Sequence, residues 1–362
     1  MKARPRIAFF GSSLVSAYWN GAATYYRGIV RALSERGFDV TFYEPDAYDR
    51  QRHRDIEDPP WARVVVYSAD GESAVRQALA EARHHDILVK TSGVGVFDEL
   101  LDREMLEHRA ADALAIYWDV DAPATLDRLE NNPADPLNAL VPHYDMVLTY
   151  GGGDPVVAGY KKVGARACVP IYNALDPSTH YPVAPDRRFA ADLAFLGNRL
   201  PDREERVGRF FFDAAERLPT CRFLLGGNGW QGKPMPGNVQ YVNHVYTRDH
   251  NAFNCSPVAV LNISRDSMAR YGFSPATRVF EAAGAAACLI TDAWEGIDHF
   301  LEPEREVLVA EDGEAVAAHV GNLNPETARA IGERARRRVL AEHTYAQRAR
   351  QLEQLLGVRA AA

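Results

Sequence analysis

RIAFFGSSLVSAYWNGAATYYRGIVRALSERGFDVTFYEPD, residues 6–46, predicts the fold of the first half of the chain. The stretch opens with an apolar strand that ends in the small, polar turn Gly11 to Ser13. A helical pattern follows over about residues 22–36, and Gly37 stops it before a second apolar strand. A strand, a helix and a second strand in this order make a βαβ unit, which builds parallel sheets.

Strand-like and helix-like segments continue to alternate through the rest of the chain. In the first half the further strand-like runs are RVVVYSA, DILVKTSG, ALAIYWDVDAP, DMVLTYGGG and ARACVPIYNALDP. The pattern restarts near Ala191 with DLAFLGNR, CRFLLGGNG, NVQYVNHV, VAVLNISR, a strand inside residues 271–292, and EVLVAED. This alternation predicts parallel sheets that are covered by helices on both faces.

The two halves are separated by NALDPSTHYPVAPDRR, which is rich in Pro, Asp and Ser and has no long apolar run. We therefore expect an α/β protein with two doubly wound, Rossmann-like domains that face each other across a cleft. The N-terminal domain is expected over residues 1–174 and the C-terminal domain over residues 175–340. Residues 341–362 contain an amphipathic helix, which we expect to pack back on the N-terminal domain.

Composition and charge exclude several classes of function. The formal net charge is -8, which argues against non-specific binding to nucleic acid. No apolar run approaches the ~20 residues that span a bilayer, and the first residues lack the core of a signal peptide. The cysteines have no paired spacing, so we expect a cytoplasmic protein without disulfides or structural zinc. A nucleotide-binding Gly-Lys-Ser/Thr loop and a Gly-x-Gly-x-x-Gly turn after either first strand are also missing.

The loops that follow the strands of the second half hold the candidate binding residues. Ligands of open α/β sheets bind at the carboxyl ends of the strands, where these loops lie. FLGNR and the helix after it supply Gly197, Asn198 and Arg203. NHVY supplies His244, Val245 and Tyr246, and NISRDS supplies Asn262 and Arg265.

YGFSPATRVFEAAGAAACLITD, residues 271–292, predicts a helix followed by a buried strand. Ser274 is expected to cap the helix, with Pro275 at its first position and Gly284 at its end. The strand is expected over residues 287–290.

The polar residues of this helix recur every three or four positions and therefore share one side. They are Ser274, Thr277, Arg278 and Glu281. Arg278 and Glu281 have the spacing of an ordinary surface ion pair, which would stabilise little. Alternatively, the helix N-terminus and Arg278 bind a diphosphate, and Glu281 accepts hydrogen bonds from a ribose diol.

SPATRVFEAAGAAACLITDAWEGIDHFLEPEREVLVAEDGEAV, from Ser274 to Val316, resembles the C-terminal signature of glycosyltransferases of the GT-B fold. In particular it resembles the family of the spore maturation protein CgeB, as does LAFLGNRLPDREERV. The resemblance implies that the second domain binds a nucleotide diphosphate sugar. Glu281 would then bind the ribose, residues Ser274, Thr277 and Arg278 the diphosphate, and the backbone around Val245 the base. Many retaining enzymes of this fold carry a second glutamate eight positions before the ribose glutamate, where this chain has Phe273.

The first domain holds the candidate acceptor-side and catalytic residues. Asp119 and Asp121, in DVD, cap a helix or act as a general base or acceptor contact. The spacing of DVD is also found in metal sites, but we expect no metal here. The strand-end loops supply the acceptor-side candidates Ser12, Ser13, Trp19, Asn20, Gly21 and Gly152.

We therefore expect a metal-independent, hexosyltransferase-like enzyme. It would move a sugar from a nucleotide diphosphate sugar (UDP, GDP or dTDP) to a hydroxyl of a glycan, a protein or a small molecule. No tightly bound cofactor is expected. Two alternatives remain open at this point: a nucleotide-sugar epimerase of the same fold, and a non-catalytic nucleotide-sugar-binding protein for polysaccharide assembly.

Overall fold

The computed structural model describes residues 4–357, except for the side chain of residue 202. It contains two compact units. Unit 1 comprises the chain up to Tyr172 together with the segment from Tyr345 onward, and unit 2 comprises Asn173–Thr344. Residues 1–3 of the predicted N-terminal domain and residues 358–362 of the predicted terminal segment lie outside the described residues.

Unit 1 is built on a seven-stranded parallel sheet with the order β3-β2-β1-β4-β5-β6-β7. Its strands are β1 (Arg6–Phe10), β2 (Asp39–Asp46), β3 (Arg63–Ser68), β4 (Ile87–Thr91), β5 (Leu114–Asp119), β6 (Met146–Thr149) and β7 (Cys168–Pro170). Ile7 of β1 pairs with Val40 on one side and Ile87 on the other, both in parallel. Strand order reverses between β1 and β4, which is the mark of a doubly wound sheet.

The helices of unit 1 cover this sheet. They are α1 (Ala23–Glu35), α2 (Glu72–Ala82), α3 (Asp98–His108), α4 (Ala122–Asn131), α5 (Pro136–Leu140), α6 (Gly153–Lys162) and, from the C-terminal segment, α14 (Tyr345–Leu355). Helix α14 packs on α1: the rings of Tyr345 and Tyr25 lie 5.9 Å apart, and Arg36 forms an ion pair with Glu353. An ideal Cβ atom on Gly28 would lie 2.1 Å from the Tyr345 ring, so only glycine permits this close packing.

Unit 2 is built on a six-stranded parallel sheet with the order β10-β9-β8-β11-β12-β13. Its strands are β8 (Leu193–Leu196), β9 (Phe223–Gly226), β10 (Val239–Val242), β11 (Ala259–Asn262), β12 (Leu289–Asp292) and β13 (Leu308–Ala310). Its helices are α7 (Pro201–Val207), α8 (Asp213–Arg217), α9 (His250–Cys255), α10 (Asp266–Tyr271), α11 (Thr277–Gly284), α12 (Gly313–Asn322) and α13 (Pro325–Glu342). A π-helical turn, Gly208–Phe212, joins α7 to α8.

The predicted fold class is confirmed, because both units are doubly wound parallel α/β structures. Each strand-like run of the sequence forms a strand. The inner strands β4, β8 and β12 are buried along their whole length, because helices lie on both faces of the sheets, whereas the edge strands β3 and β10 are partly exposed. Among the described residues, no helix combines the length and the apolar character that a membrane crossing requires.

Within residues 271–292 the predicted starts of the helix and of the strand are wrong, whereas the helix ends at Gly284 as predicted. Ser274 does not cap the helix, because its hydroxyl donates to the Gly272 carbonyl oxygen at 2.8 Å, and α11 begins only at Thr277. At the other end Ala286 adopts a left-handed backbone, and the N–H of Ala287 donates back to Ala282. This Schellman-type ending uses Ala287, which was expected to start the strand, so β12 begins two residues later.

Candidate functional site

The order of the unit 2 sheet reverses between β8 and β11, and this switch point defines the candidate site. Ligands of doubly wound sheets bind at the carboxyl ends of the strands beside such a reversal. Gly197 and Asn198 directly follow β8, and Asn262 ends β11. The structure therefore places predicted residues of both loops at the two adjacent strand ends.

The two glycine-rich turns after β8 and β9 hold each other in place. The N–H of Gly197 donates to Gly226 at 2.9 Å, and the Trp230 indole N–H donates to the Gly197 carbonyl at 2.8 Å. The side-chain oxygen of Asn198 accepts the backbone N–H of Asn228 at 2.9 Å. These atoms of Gly197 and Asn198 join the two turns, and the contact of both residues with a ligand stays a prediction.

Arginine side chains brace the same loops. Arg203 donates to the Asn198 carbonyl at 2.6 Å, and its guanidinium lies over the Phe195 ring, 5.7 Å from the ring centre. Arg206, which the sequence analysis did not single out, forms an ion pair of 2.6 Å with the buried Asp292 at the end of β12. Burial raises the pKa of the Asp292 carboxyl, and Arg206 opposes that rise.

The end of β11 is also polar and buried. The Asn262 side chain donates to the Thr291 hydroxyl at 3.0 Å, and both the N–H and the hydroxyl of Ser264 donate to Asp292. Arg265 follows these residues and is half-buried. Asn262 therefore links neighbouring strand ends, while Arg265 stands next to them in the loop.

The loop after β10 presents two exposed rings and one buried side chain. His244 and Tyr246 are exposed, and their rings meet edge to face at 4.6 Å. Val245 lies between them in the sequence and is buried, and its carbonyl oxygen is 3.3 Å from Nε2 of His250. The loop thus combines aromatic surface with backbone groups, as contacts to a nucleobase require.

Glu281 lies in a cluster with two histidines that sequence reasoning did not find. His180 and Glu281 are both buried, and His180 Nε2 is 4.0 Å from a Glu281 carboxylate oxygen. A ligand atom of His250, at the start of α9, completes a group whose three atoms lie within 4.8 Å of one another. The three residues are far apart in the sequence and follow no spacing rule, so only Glu281 was identified as a candidate.

Burial shifts the pKa values of His250 and of the neighbouring Arg278. It lowers the pKa of His250 to about 4, against the attraction of Glu281, and therefore keeps this imidazole neutral at pH 7. It also lowers the pKa of the Arg278 guanidinium, and Glu281 opposes this shift. Because Glu281 is buried, Arg278 and Glu281 are not the solvent-exposed pair that their spacing alone allows.

The beginning of α11 supplies the other predicted donor contacts. Thr277 is half-buried at the first position of the helix, and no side chain caps the helix N-terminus. Ser274 is buried and bonded to the preceding turn. The uncapped N-terminus next to Arg278 is a favourable place for an anion.

In unit 1, Asp119 is fully enclosed. Its carboxylate accepts hydrogen bonds from the Ser92 hydroxyl at 2.6 Å, from the Asp121 N–H at 2.9 Å and from the Tyr160 hydroxyl. Burial and the nearby Asp119 charge raise the pKa of Tyr160 well above its usual value. Asp121 is half-buried and precedes α4. Of the two aspartates, Asp121 is therefore the one with access to solvent.

The loop after β1 is built by residues that were predicted on the acceptor side. The Ser12 hydroxyl donates to Asn20 at 3.0 Å, and Asn20 donates to the Ser13 carbonyl at 2.9 Å. The Ser13 hydroxyl donates to the buried Glu44 at 2.9 Å. Trp19, which is 46% exposed, and Gly21 are the predicted loop residues that reach the surface, whereas Gly152 is buried before α6.

Comparison with known proteins identifies the fold. A family model described as glycosyl transferase-like matches residues 203–354. Sucrose-phosphate synthase from Thermosynechococcus elongatus is 16% identical, with a TM-score of 0.70 over 98% of each chain. Anabaena Alr3699/HepE, solved with UDP-glucose, is 13% identical, with a TM-score of 0.70 over 97% of this chain and 99% of that chain. T4 phage β-glucosyltransferase is 13% identical, with a TM-score of 0.61 over 96% and 98%.

These structural likenesses show that the chain has the GT-B fold of two Rossmann-like units. The matched residues run from within α7 to within α14 and include the helix α11 and the strands β11 and β12. No curated protein matches the chain in sequence.

Proposed function

We propose that the protein is a glycosyltransferase that binds a nucleotide diphosphate sugar in unit 2 and transfers the sugar to an acceptor hydroxyl. The buried Glu281 on α11, the helix that connects β11 to β12, is the observation that carries the proposal. The glycosyl transferase-like match over residues 203–354 includes this residue. The UDP-glucose bound to HepE supports a donor of this chemical class.

The proposed donor contacts follow from where each group lies. Glu281 would accept hydrogen bonds from the two ribose hydroxyls, since a carboxylate offers two acceptor oxygens. Arg278 and the uncapped start of α11 at Thr277 would bind the diphosphate, because both favour negative charge. The backbone around Val245 would meet the base, with the exposed ring of Tyr246 beside it.

The chemical step requires that charge on the departing diphosphate be stabilised. We assign this role to Arg278 and Arg265, with the dipole of α11 adding to it. In unit 1 we propose Asp121 as the general base or acceptor contact and Asp119 as the residue that positions it, through the 2.9 Å hydrogen bond from the Asp121 N–H. Transfer is proposed to proceed without a metal ion.

We also propose a subgroup for the protein, a role for each unit and a location in the cell. The protein would belong to the CgeB-like subgroup and would transfer a hexosyl group. Unit 1 would bind the acceptor, and unit 2 would bind the nucleotide-sugar donor. A cytoplasmic location is proposed because the cysteines are free thiols, namely Cys168, Cys221, Cys255 and Cys288. The acceptor would be a glycan, a protein or a small molecule rather than nucleic acid, in keeping with the net charge of -8.

The test of the donor site is Glu281→Gln, which keeps the side-chain volume and removes the charge. Hydrogen bonds to charged groups contribute about 1.5–3 kcal/mol, so nucleoside diphosphate affinity should fall roughly 10- to 150-fold. Calorimetric titration with UDP, GDP and dTDP measures it. Glu326→Gln, on the exposed start of α13, is the matched control and should bind like the wild type. Equal affinity of the Glu281→Gln variant and the wild type would refute the ribose contact.

The reaction itself is tested by product analysis with nucleotide sugars. A transferase releases nucleoside diphosphate slowly by hydrolysis and yields a larger product when an acceptor is present. An epimerase would interconvert two nucleotide sugars with no release, and a binding protein would leave the donor intact. Binding without either reaction would therefore contradict the enzyme proposal while preserving the donor site.

A further inference from the structure

The cluster of His180, His250 and Glu281 has a composition that donor binding alone does not require. Donor binding uses the carboxylate, whereas two imidazoles and a carboxylate together form a ligand set that zinc enzymes use. We propose that this cluster, called the His2Glu cluster below, binds one Zn²⁺ ion per chain. Zn²⁺ prefers nitrogen and oxygen ligands of this kind, and the fourth position would be filled by water.

The distances fit a zinc site after small side-chain movements. Ligands at 2.0–2.1 Å in a tetrahedral site lie about 3.4 Å from one another. In the structure the three ligand atoms lie within 4.8 Å, and the His180–Glu281 separation is 4.0 Å. Closing this gap needs movements of roughly 1 Å, which side-chain rotation supplies without moving a helix.

Neighbouring groups orient both imidazoles. His180 Nδ1 lies 3.0 Å from the Thr179 hydroxyl, which leaves Nε2 directed at Glu281. His250 Nε2 lies 3.3 Å from the Val245 carbonyl oxygen. Metal-binding histidines usually have such a partner on the second ring nitrogen, and it fixes the tautomer and the ring orientation.

The backbone segments that carry the two histidines are also joined to each other. The Asn251 side chain donates to the Thr179 carbonyl at 2.9 Å and accepts the Tyr181 N–H at 3.2 Å. His180 lies between these two bonded residues, and His250 directly precedes Asn251. The relative position of the imidazoles is therefore set by the fold before a metal ion arrives.

Arg278 acts against the cation. Its guanidinium interacts electrostatically with Glu281 and with His250, so its positive charge weakens attraction for Zn²⁺. We expect an affinity in the micromolar range rather than the much tighter binding of structural zinc. Zinc would thus bind reversibly.

Zinc and nucleotide should oppose each other, because both use Glu281. This consequence rests on the proposed donor site, whereas the zinc site itself does not. Binding of either ligand then lowers the affinity for the other by the same factor, as linkage requires.

The experiment titrates metal-free protein with Zn²⁺, using calorimetry and competition with a zinc-binding dye. We expect one Zn²⁺ per chain and at least tenfold weaker binding in His180→Gln and in His250→Gln. His84→Gln, which changes an exposed histidine of unit 1, is the matched control and should bind like the wild type. Thermal melting verifies that each variant is folded. X-ray absorption of the zinc-loaded wild-type protein provides a second measurement, expected to show two imidazoles and oxygen ligands.

Absence of binding up to about 100 μM, or a zinc spectrum without two imidazoles, would overturn the site. Unchanged affinity in both folded histidine variants would do the same, since the ion would then lie elsewhere. A saturating nucleoside diphosphate should weaken zinc binding at least tenfold. If the nucleotide binds and the affinity for zinc does not change, the proposed antagonism is wrong. If zinc binds and no nucleotide binds, the proposed donor site is wrong and the zinc site is still supported.

Discussion

Replacement of Gly227 by alanine tests the contact between the two glycine-rich turns that follow β8 and β9. Gly227 has φ of +120°, and an ideal Cβ there would lie 2.3 Å from the Gly197 carbonyl oxygen and 2.5 Å from its carbon. Real Cβ atoms do not approach within 3.0 Å, so the turns must separate. Backbone strain costs about 1–3 kcal/mol. Loss of the Gly197–Gly226 and Trp230–Gly197 hydrogen bonds adds about 1 kcal/mol each.

The free energy of unfolding should therefore fall by about 3–5 kcal/mol, measured by urea unfolding with circular dichroism. Two glycines downstream of this turn serve as controls. Gly232→Ala meets no atom within 4 Å but has φ of +74°, so it should cost only about 1–2 kcal/mol. Gly237→Ala meets no atom within 4 Å and should change stability by less than about 1 kcal/mol. A cost at Gly227 equal to that at Gly232 would refute the close contact.

Two further substitutions probe buried charge and helix packing. Arg206→Met leaves the buried Asp292 carboxylate without the guanidinium that lies 2.6 Å away. The free energy of unfolding of unit 2, measured by urea unfolding, should fall by about 3–5 kcal/mol. A loss below about 1 kcal/mol would contradict this role of the ion pair. Gly28→Ala places a methyl group 2.1 Å from the Tyr345 ring and should therefore increase hydrogen exchange throughout α14, as measured by mass spectrometry. The control is Gly321→Ala, whose methyl group meets no atom within 4 Å and should leave the amides of α14 protected.

Alternation of apolar runs and helical patterns was enough to predict the fold. The inner strands such as β4, β8 and β12 are short and buried, so they appear in the sequence as apolar runs bounded by turn residues. The segment at residues 271–292 shows the limit of this reasoning. The predicted cap at Ser274 failed because its hydroxyl is used by the preceding turn, and that competition depends on the backbone of Phe273, whose φ is +45°.

The candidate site was predictable only where one element carries the evidence. Glu281 and Arg278 share a helix, so their common side follows from the helical repeat. His180 and His250 come from separate segments that the chain topology brings to Glu281, and no local pattern reports that meeting. A Gly-Asn turn suits a ligand or a neighbouring turn equally well, so the sequence did not reveal that the side-chain oxygen of Asn198 accepts a hydrogen bond from Asn228.

Phe273 stands where many retaining enzymes of this fold carry a second glutamate, and its surroundings are fitted to an aromatic side chain. Its ring lies against Gly296 and 5.2 Å from the His299 ring, while its N–H donates to the Glu295 carbonyl at 2.6 Å. A glutamate at this position would exchange the ring contacts for a carboxylate that needs polar partners in the same space. The loop after β12 therefore packs against the phenylalanine ring. It follows that, under the proposed function, the donor sugar is held without a carboxylate at position 273.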